Sequence, residues 1–166
     1  MSAHKPFKIL FICTGNSARS IFGEYFIRRI APLRFESYSA GADPKPAVNP
    51  YALRVLQEAF KIDARNARPK SMDVFRDTVF DFVITVCDRA KETCPVWPGQ
   101  PIVAHWSSPD PAAFQGDDRA TYEHFWRIAQ QIYRRIDLFC CLPMESLDRQ
   151  RLEQATRQIG SKEQTL

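Results

Sequence analysis

A run of apolar residues, Phe7-Lys8-Ile9-Leu10-Phe11-Ile12, leads directly into Cys13-Thr14-Gly15-Asn16-Ser17-Ala18-Arg19-Ser20, after which a helical pattern begins. No other feature constrains the fold of this chain as strongly. A short, near-continuous apolar strand is covered on both faces, as in a parallel sheet flanked by helices. A strand that ends in a glycine-containing turn and feeds a helix N-terminus makes an anion site, because turn amides and helix dipole converge on one negative group. Cys13 stands first in that loop. The same positive field favours thiolate over thiol, which makes its sulfur a candidate nucleophile. Arg19 adds a planar fork able to clamp two oxygens of a tetrahedral oxyanion. Thr14, Gly15, Asn16, Ser17, Ala18, Arg19 and Ser20 are therefore the expected oxyanion-binding loop. Cys-x5-Arg alone is a weak signal; the strand–loop–helix context is what favours a reactive thiol over an inert core cysteine.

The rest of the chain keeps this alternation. A first helix is expected over roughly 20–32, closed by Pro32, and a second strand over 35–40, ending at Gly41. A Pro-rich loop over 43–50 precedes a short helix at 51–60, with Leu53, Leu56 and Phe60 on one face. Residues 81–86 read as a third strand and 102–104 as a fourth. A long helix is expected from about 118 to 139, then a last one at 146–159 before a polar tail. This order predicts one α/β domain over 1–166, with a helical tail at about 142–160. Its core is a small four-stranded parallel sheet with helices on both faces, Rossmann-like. Ligands of such sheets sit beyond the strands' carboxyl ends, where the Cys13 loop falls.

Composition narrows the class. The 166 residues are 45% hydrophobic and 25% charged, ordinary for a soluble domain. No apolar run approaches a membrane span, and residues 1–12 lack the shape of a secretory signal. A cytoplasmic location is expected, with the five cysteines reduced. A net charge of +4, carried by scattered basic residues, suits an anionic substrate and argues against nucleic acid. The cysteines and histidines lack zinc-site spacing, so no metal centre is expected.

The third strand ends in Cys87, on the same sheet edge as Cys13, and Cys94 follows seven residues later. Two readings stay open from spacing alone. Cys87 is a buried strand-end residue and Cys94 a surface thiol; or a mobile polar segment lets the two join Cys13 in a redox relay. Asp110, in Ser108-Pro109-Asp110-Pro111, is a turn aspartate or a general acid at the pocket rim. His105 is expected to be packed rather than catalytic, and Cys140-Cys141 to be small core residues.

In combination, CTGNSARS at 13–20, YSAG at 38–41, Cys87 with CP at 94–95, and HW…DPA at 105–112 resemble the low-molecular-weight protein tyrosine phosphatase family. The likeness is to its arsenate reductase branch in particular, and residues 142–160 resemble the tail of a bacterial subgroup of that branch. The resemblance implies that Cys13 attacks the oxyanion while Arg19 and the loop amides hold it. It implies that Ser20 stabilises the thiolate, Asn16 shapes the loop and Asp110 protonates the departing oxygen. It further implies that Cys87 attacks the arseno-cysteine and Cys94 resolves the mixed disulfide. Thioredoxin or glutaredoxin would then reduce Cys87–Cys94. The implied alternative is hydrolysis of phosphotyrosine or small phosphate esters. Ala112 and Ala113 stand where the phosphatase branch carries aromatic residues, which weakens that alternative. Some members bind potassium beside the loop, and Asn16, Glu24 and Ser39 match part of such a site.

Overall fold

The computed structural model describes residues 5–161, so the polar tail beyond 161 lies outside the described residues. In chain order the elements are β1 (Phe7–Cys13), α1 (Arg19–Ile30), β2 (Phe35–Gly41), α2 (Pro50–Phe60) and β3 (Phe82–Thr85). There follow α3 (Asp88–Glu92), β4 (Ile102–His105), α4 (Asp118–Cys140) and α5 (Arg149–Ser161). Short 3-10 turns occupy Met72–Phe75 and Pro111–Ala113. The four strands form one parallel sheet in the order β2-β1-β3-β4. This is the α/β arrangement expected from the alternation.

β1 is central because it can be nothing else. Ile9, Leu10, Phe11 and Ile12 are consecutive and all buried, so side chains on both faces of the strand need cover. Cover on one side comes from α1, which packs on β2 and α4, with α2 against α4. The edge strand β4 is closed by α5: Trp106 Nε1 donates to the Thr156 carbonyl at 3.0 Å and Arg157 Nε to the Val103 carbonyl at 3.2 Å. Trp106 in turn is buried against Phe139, with ring centroids 5.6 Å apart.

Several boundaries move for local reasons. α1 stops at Ile30 rather than running to Pro32, because Ala31 precedes a proline and leaves the helical region, with φ −140° and ψ 59°. α5 starts at Arg149, three residues later than the spacing suggests, with the Asp148 carboxylate accepting from Arg151 N at 2.8 Å. The polar segment after Cys87 is wound into the helix α3. Of the paired cysteines at the end of α4, Cys140 is buried as expected, while Cys141 is exposed. Burial pushes the Cys140 thiol up to about 11.

Gly160 lets α5 lie against the sheet. A Cβ there would overlap the His105 carbonyl oxygen and come within 2.7 Å of Trp106 Cδ1. Gly160→Ala is expected to destabilise the fold by about 1–3 kcal/mol through overpacking at this seam. Urea denaturation beside the parent chain measures it, and an unchanged midpoint would contradict the tight α5–β4 contact.

Candidate active site

The loop after β1 is held by a strap of chain leading from β2 to α2. Backbone N–H groups of Ala42, Asp43, Lys45 and Asn49 donate to the carbonyls of Cys13, Thr14, Gly15 and Ser17, at 2.8–3.1 Å. In a planar trans peptide the C=O and the following N–H point opposite ways. Turning these carbonyls outward therefore turns the amides of Thr14, Gly15, Asn16 and Ala18 inward. Asn16 N already donates to Cys13 Sγ at 3.2 Å.

α1 adds to this field by what it lacks. Its N-cap, Ala18, makes no side-chain cap, and its first turn has no acid. Its orphan N-terminal amides are left to a ligand. Asn16 takes a left-handed φ of 49°, tolerable for asparagine, and is fully buried. Its side chain locks the turn: Nδ2 donates to Ser20 Oγ at 2.8 Å and Oδ1 accepts from Lys70 N at 2.8 Å. Ser20 Oγ lies 2.9 Å from Cys13 Sγ. Because Ser20 already accepts from Asn16, its own hydrogen is free to point at the sulfur.

Cys13 thus lies at the floor of a cleft of about 390 Å³ at the carboxyl edge of the sheet. Arg19 lines it, tethered by NH1 donating to the Ser108 carbonyl at 3.0 Å, with NH2 3.9 Å from Asp110 Oδ1. Asp110 is half exposed on the rim and its Oδ1 accepts from Ala112 N at 3.0 Å, so it sits in a turn and at the cleft at once. The loop carrying it is braced from α4: Ser108 Oγ donates to Gln131 Oε1 at 3.1 Å, and Arg135 NH1 to the Ser107 carbonyl at 2.7 Å. Burial pulls the Arg135 guanidinium down from its ordinary value. Lys45 and Arg89 also line the cleft, two cations that sequence reasoning did not single out. A proline-flanked lysine after β2 was the available signal for the first; α3 was needed to see the second.

Cys87 is brought against the Cys13 loop, buried behind the cleft, and Cys94 is not. Cys87 Sγ is 3.3 Å from Thr14 Oγ1 and accepts from Ala90 N at 3.4 Å, as the N-cap of α3. Cys94 is half-buried at the far end of α3 and lines a separate cavity with His105 and Arg157. Burial pushes its thiol up. All five cysteines are free. His105 is packed, its Nδ1 2.8 Å from Thr85 Oγ1 and its Nε2 2.9 Å from Asp88 Oδ1.

The oxygens around Glu24 do not fit a potassium ion. Glu24 Oε1 accepts from Ser39 Oγ at 2.8 Å and has the Lys70 ammonium 3.9 Å away; Oε2 pairs with Arg28 at 3.1 Å. Asn16 Oδ1 is taken by a backbone N–H. The chain supplies its own cations there, and no step below runs through a metal. Among the described residues, no group of three or more His, Cys, Asp or Glu side chains is placed to hold a metal ion.

An anion cradle with a thiol at its floor, set at the carboxyl edge of a parallel sheet, places this chain among proteins that handle oxyanions through sulfur. Comparison agrees: residues 8–154 match the model of the low molecular weight phosphotyrosine protein phosphatase family, and the chain belongs to that family. An arsenate reductase of Oceanobacillus iheyensis is 34% identical over 131 residues, 79% of this chain and 93% of the relative. A solved arsenate reductase in its phosphate-binding state superposes with a TM-score of 0.68 at 25% identity, covering 79% of this chain and 94% of that one. A thioredoxin-dependent arsenate reductase of Corynebacterium glutamicum superposes at 0.57 and 26% identity, covering 82% and 65%.

Ser20→Ala removes the hydroxyl that faces the sulfur. Alkylation of Cys13 by iodoacetamide at neutral pH is expected to slow about tenfold, the scale of a hydrogen bond to a charged group. Mass spectrometry of the Cys13 peptide measures it, and an unchanged rate would remove Ser20 from the thiolate's support.

Proposed function

We propose that this chain reduces arsenate to arsenite with electrons from its own thiols. The observation that carries the reading is Cys87: a second sulfur, at the start of α3, within hydrogen-bond distance of Thr14, the residue next to Cys13 in the loop. A phosphatase needs one thiol there, a reductase two.

The chemistry follows from the placement. The loop amides and Arg19 hold the tetrahedral oxyanion over Cys13. The Cys13 thiolate attacks arsenic, and one oxygen leaves as water with a proton from Asp110. The Cys87 thiolate then attacks Cys13 Sγ. The sulfur–arsenic bond breaks with its electron pair going to arsenic, so As(V) leaves as As(III) and two thiols become one disulfide. Cys94 next displaces Cys13 from that disulfide, leaving Cys87–Cys94 to be reduced from outside. Each residue role here is part of the proposal.

The arsenate reductases at 32–35% identity support the substrate. A dithiol protein of the thioredoxin or glutaredoxin kind is the proposed electron donor, a choice supported by the thioredoxin-dependent neighbour. We place the protein in the cytoplasm, where such donors keep thiols reduced. Among the described residues, no helix is long and apolar enough to cross a membrane.

The family name supports a second activity, hydrolysis of small phosphate esters by Cys13, Arg19 and Asp110 alone. Among the described residues, those that line the cleft include no aromatic side chain to stack on a phosphotyrosine ring, which favours the first reading over this one.

Replacing both Cys87 and Cys94 by serine separates the two. Arsenate turnover with a thioredoxin system is expected to fall at least about a hundredfold, because the thiols that supply the electrons are gone. Hydrolysis of p-nitrophenyl phosphate should persist. Undiminished arsenate reduction by the double variant would overturn the relay.

A further inference from the structure

We propose that His105 is a positioning residue for the last thiol exchange, forming with Asp88 a clasp that holds Cys94 away from Cys87 until Cys87 has reacted. The proposal rests on the three-thiol relay above and adds to it the device that orders its steps.

Cys87 and Cys94 stand at opposite ends of α3, Cys87 against Thr14 of the Cys13 loop and Cys94 on a cavity with His105. A disulfide needs their Cα atoms within about 7 Å, each in reach of the other's sulfur. A wound α3 keeps the thiols apart, so their pairing requires α3 to open. Few contacts resist that opening. α3 is one turn long, and among its residues only Ala90 is buried. Besides the burial of Ala90 against the core, the side-chain tie from α3 to the sheet is the contact of Asp88 Oδ1 with His105 Nε2 at 2.9 Å.

The anchor side of the clasp is rigid. Asp88, as a carboxylate, can only accept, so Nε2 carries the hydrogen and Nδ1 is left to accept from Thr85 Oγ1 at 2.8 Å. Thr85 fixes the ring from β3, and α5 passes so close at Gly160 that a Cβ there would overlap the His105 carbonyl oxygen. The movable side is Asp88, whose side chain is 81% exposed.

The trigger is Cys87 itself. Its sulfur is the N-cap of α3, accepting from Ala90 N. Once Cys87 is drawn into a bond with Cys13, that sulfur no longer caps the helix, and of the two side-chain ties, cap and clasp, only the clasp remains. Opening then lets the Cys94 thiolate attack Cys87 Sγ. The Cys13–Cys87 bond breaks, Cys13 leaves as thiolate into the support of Ser20 and Asn16 N–H, and the proton of Cys94 passes to solvent. Before Cys87 reacts, cap and clasp together keep Cys94 from closing a premature disulfide that would disable the relay.

Amide hydrogen exchange across 88–93 in the reduced protein tests the clasp without arsenate. Asp88→Ala and His105→Gln should each raise exchange about three- to tenfold, the scale of one polar contact. His105→Gln leaves the sequence of α3 untouched, so it separates the clasp from any effect of Asp88 on helix propensity. Cys87→Ala should raise exchange and Cys87→Ser, which keeps a cap, should not. Quenched reactions of the two clasp variants with arsenate should then show unchanged arsenite release but faster conversion of the Cys13–Cys87 to the Cys87–Cys94 disulfide. Unchanged exchange in both clasp variants, or slower conversion, would overturn the clasp. Absence of any Cys13–Cys87 species in the parent chain would instead overturn the relay on which it rests.

Discussion

Four backbone hydrogen bonds from the 42–49 strap to the carbonyls of the Cys13 loop are the constraint on which the rest of the site depends. A planar peptide cannot present its C=O and its N–H in the same direction. By holding the carbonyls outward, the strap commits the amides to the cleft and gives the loop a positive interior before any side chain is considered. Gly41 makes this possible: a Cβ there would lie 2.7 Å from the Thr14 carbonyl oxygen and 3.1 Å from Asn16 N. Only glycine lets the end of β2 pass this close. The uncapped start of α1 and the Arg19 fork then add to a field that the backbone has already set.

The parts of this protein legible in its sequence are those with strong local physics. β1 and β3 are continuous apolar runs, and a run buried on both faces has one home in a parallel sheet. The Cys13 loop was legible because strand, glycine turn and helix start together make an anion site wherever they occur. α3 was not. Five residues, Asp88–Glu92, are too few to show a helical period, one of them is buried, and their cap is a cysteine rather than the usual serine, threonine or aspartate. The same blind spot hid Arg89 and the contact of His105 with Asp88, since both depend on α3 existing. Lys45 was missed because only the strap's hydrogen bonds bring it over Gly15. Glu24 and Ser39 do meet in the structure, but Lys70, 54 residues beyond Asn16, approaches Glu24 as well and alters what they can bind, which no local pattern reveals.

The thiols are arranged as a sequence in space. Cys13 lines the cleft, Cys87 is buried behind it against Thr14 of the same loop, and Cys94 lies beyond a helical turn, lining a different cavity. Burial keeps Cys94 protonated more readily than an ordinary thiol, consistent with a residue that reacts last. α5 belongs to this arrangement as well as to the fold. It closes the β4 edge, passes close to the His105 carbonyl at Gly160 and contributes Arg157 to the Cys94 cavity. The family match ends at residue 154, inside this helix.

The central claim is that the electrons reaching arsenic come from this chain's own cysteines. A single turnover tests it most directly: fully reduced protein and arsenate are mixed without any reductant, arsenite is assayed, and the thiols are mapped by mass spectrometry. The account predicts about one arsenite per chain, the yield of two thiols closing one disulfide, with Cys87 bonded to Cys94 at the end and Cys13 again free. Thiols still reduced and no arsenite formed would contradict it.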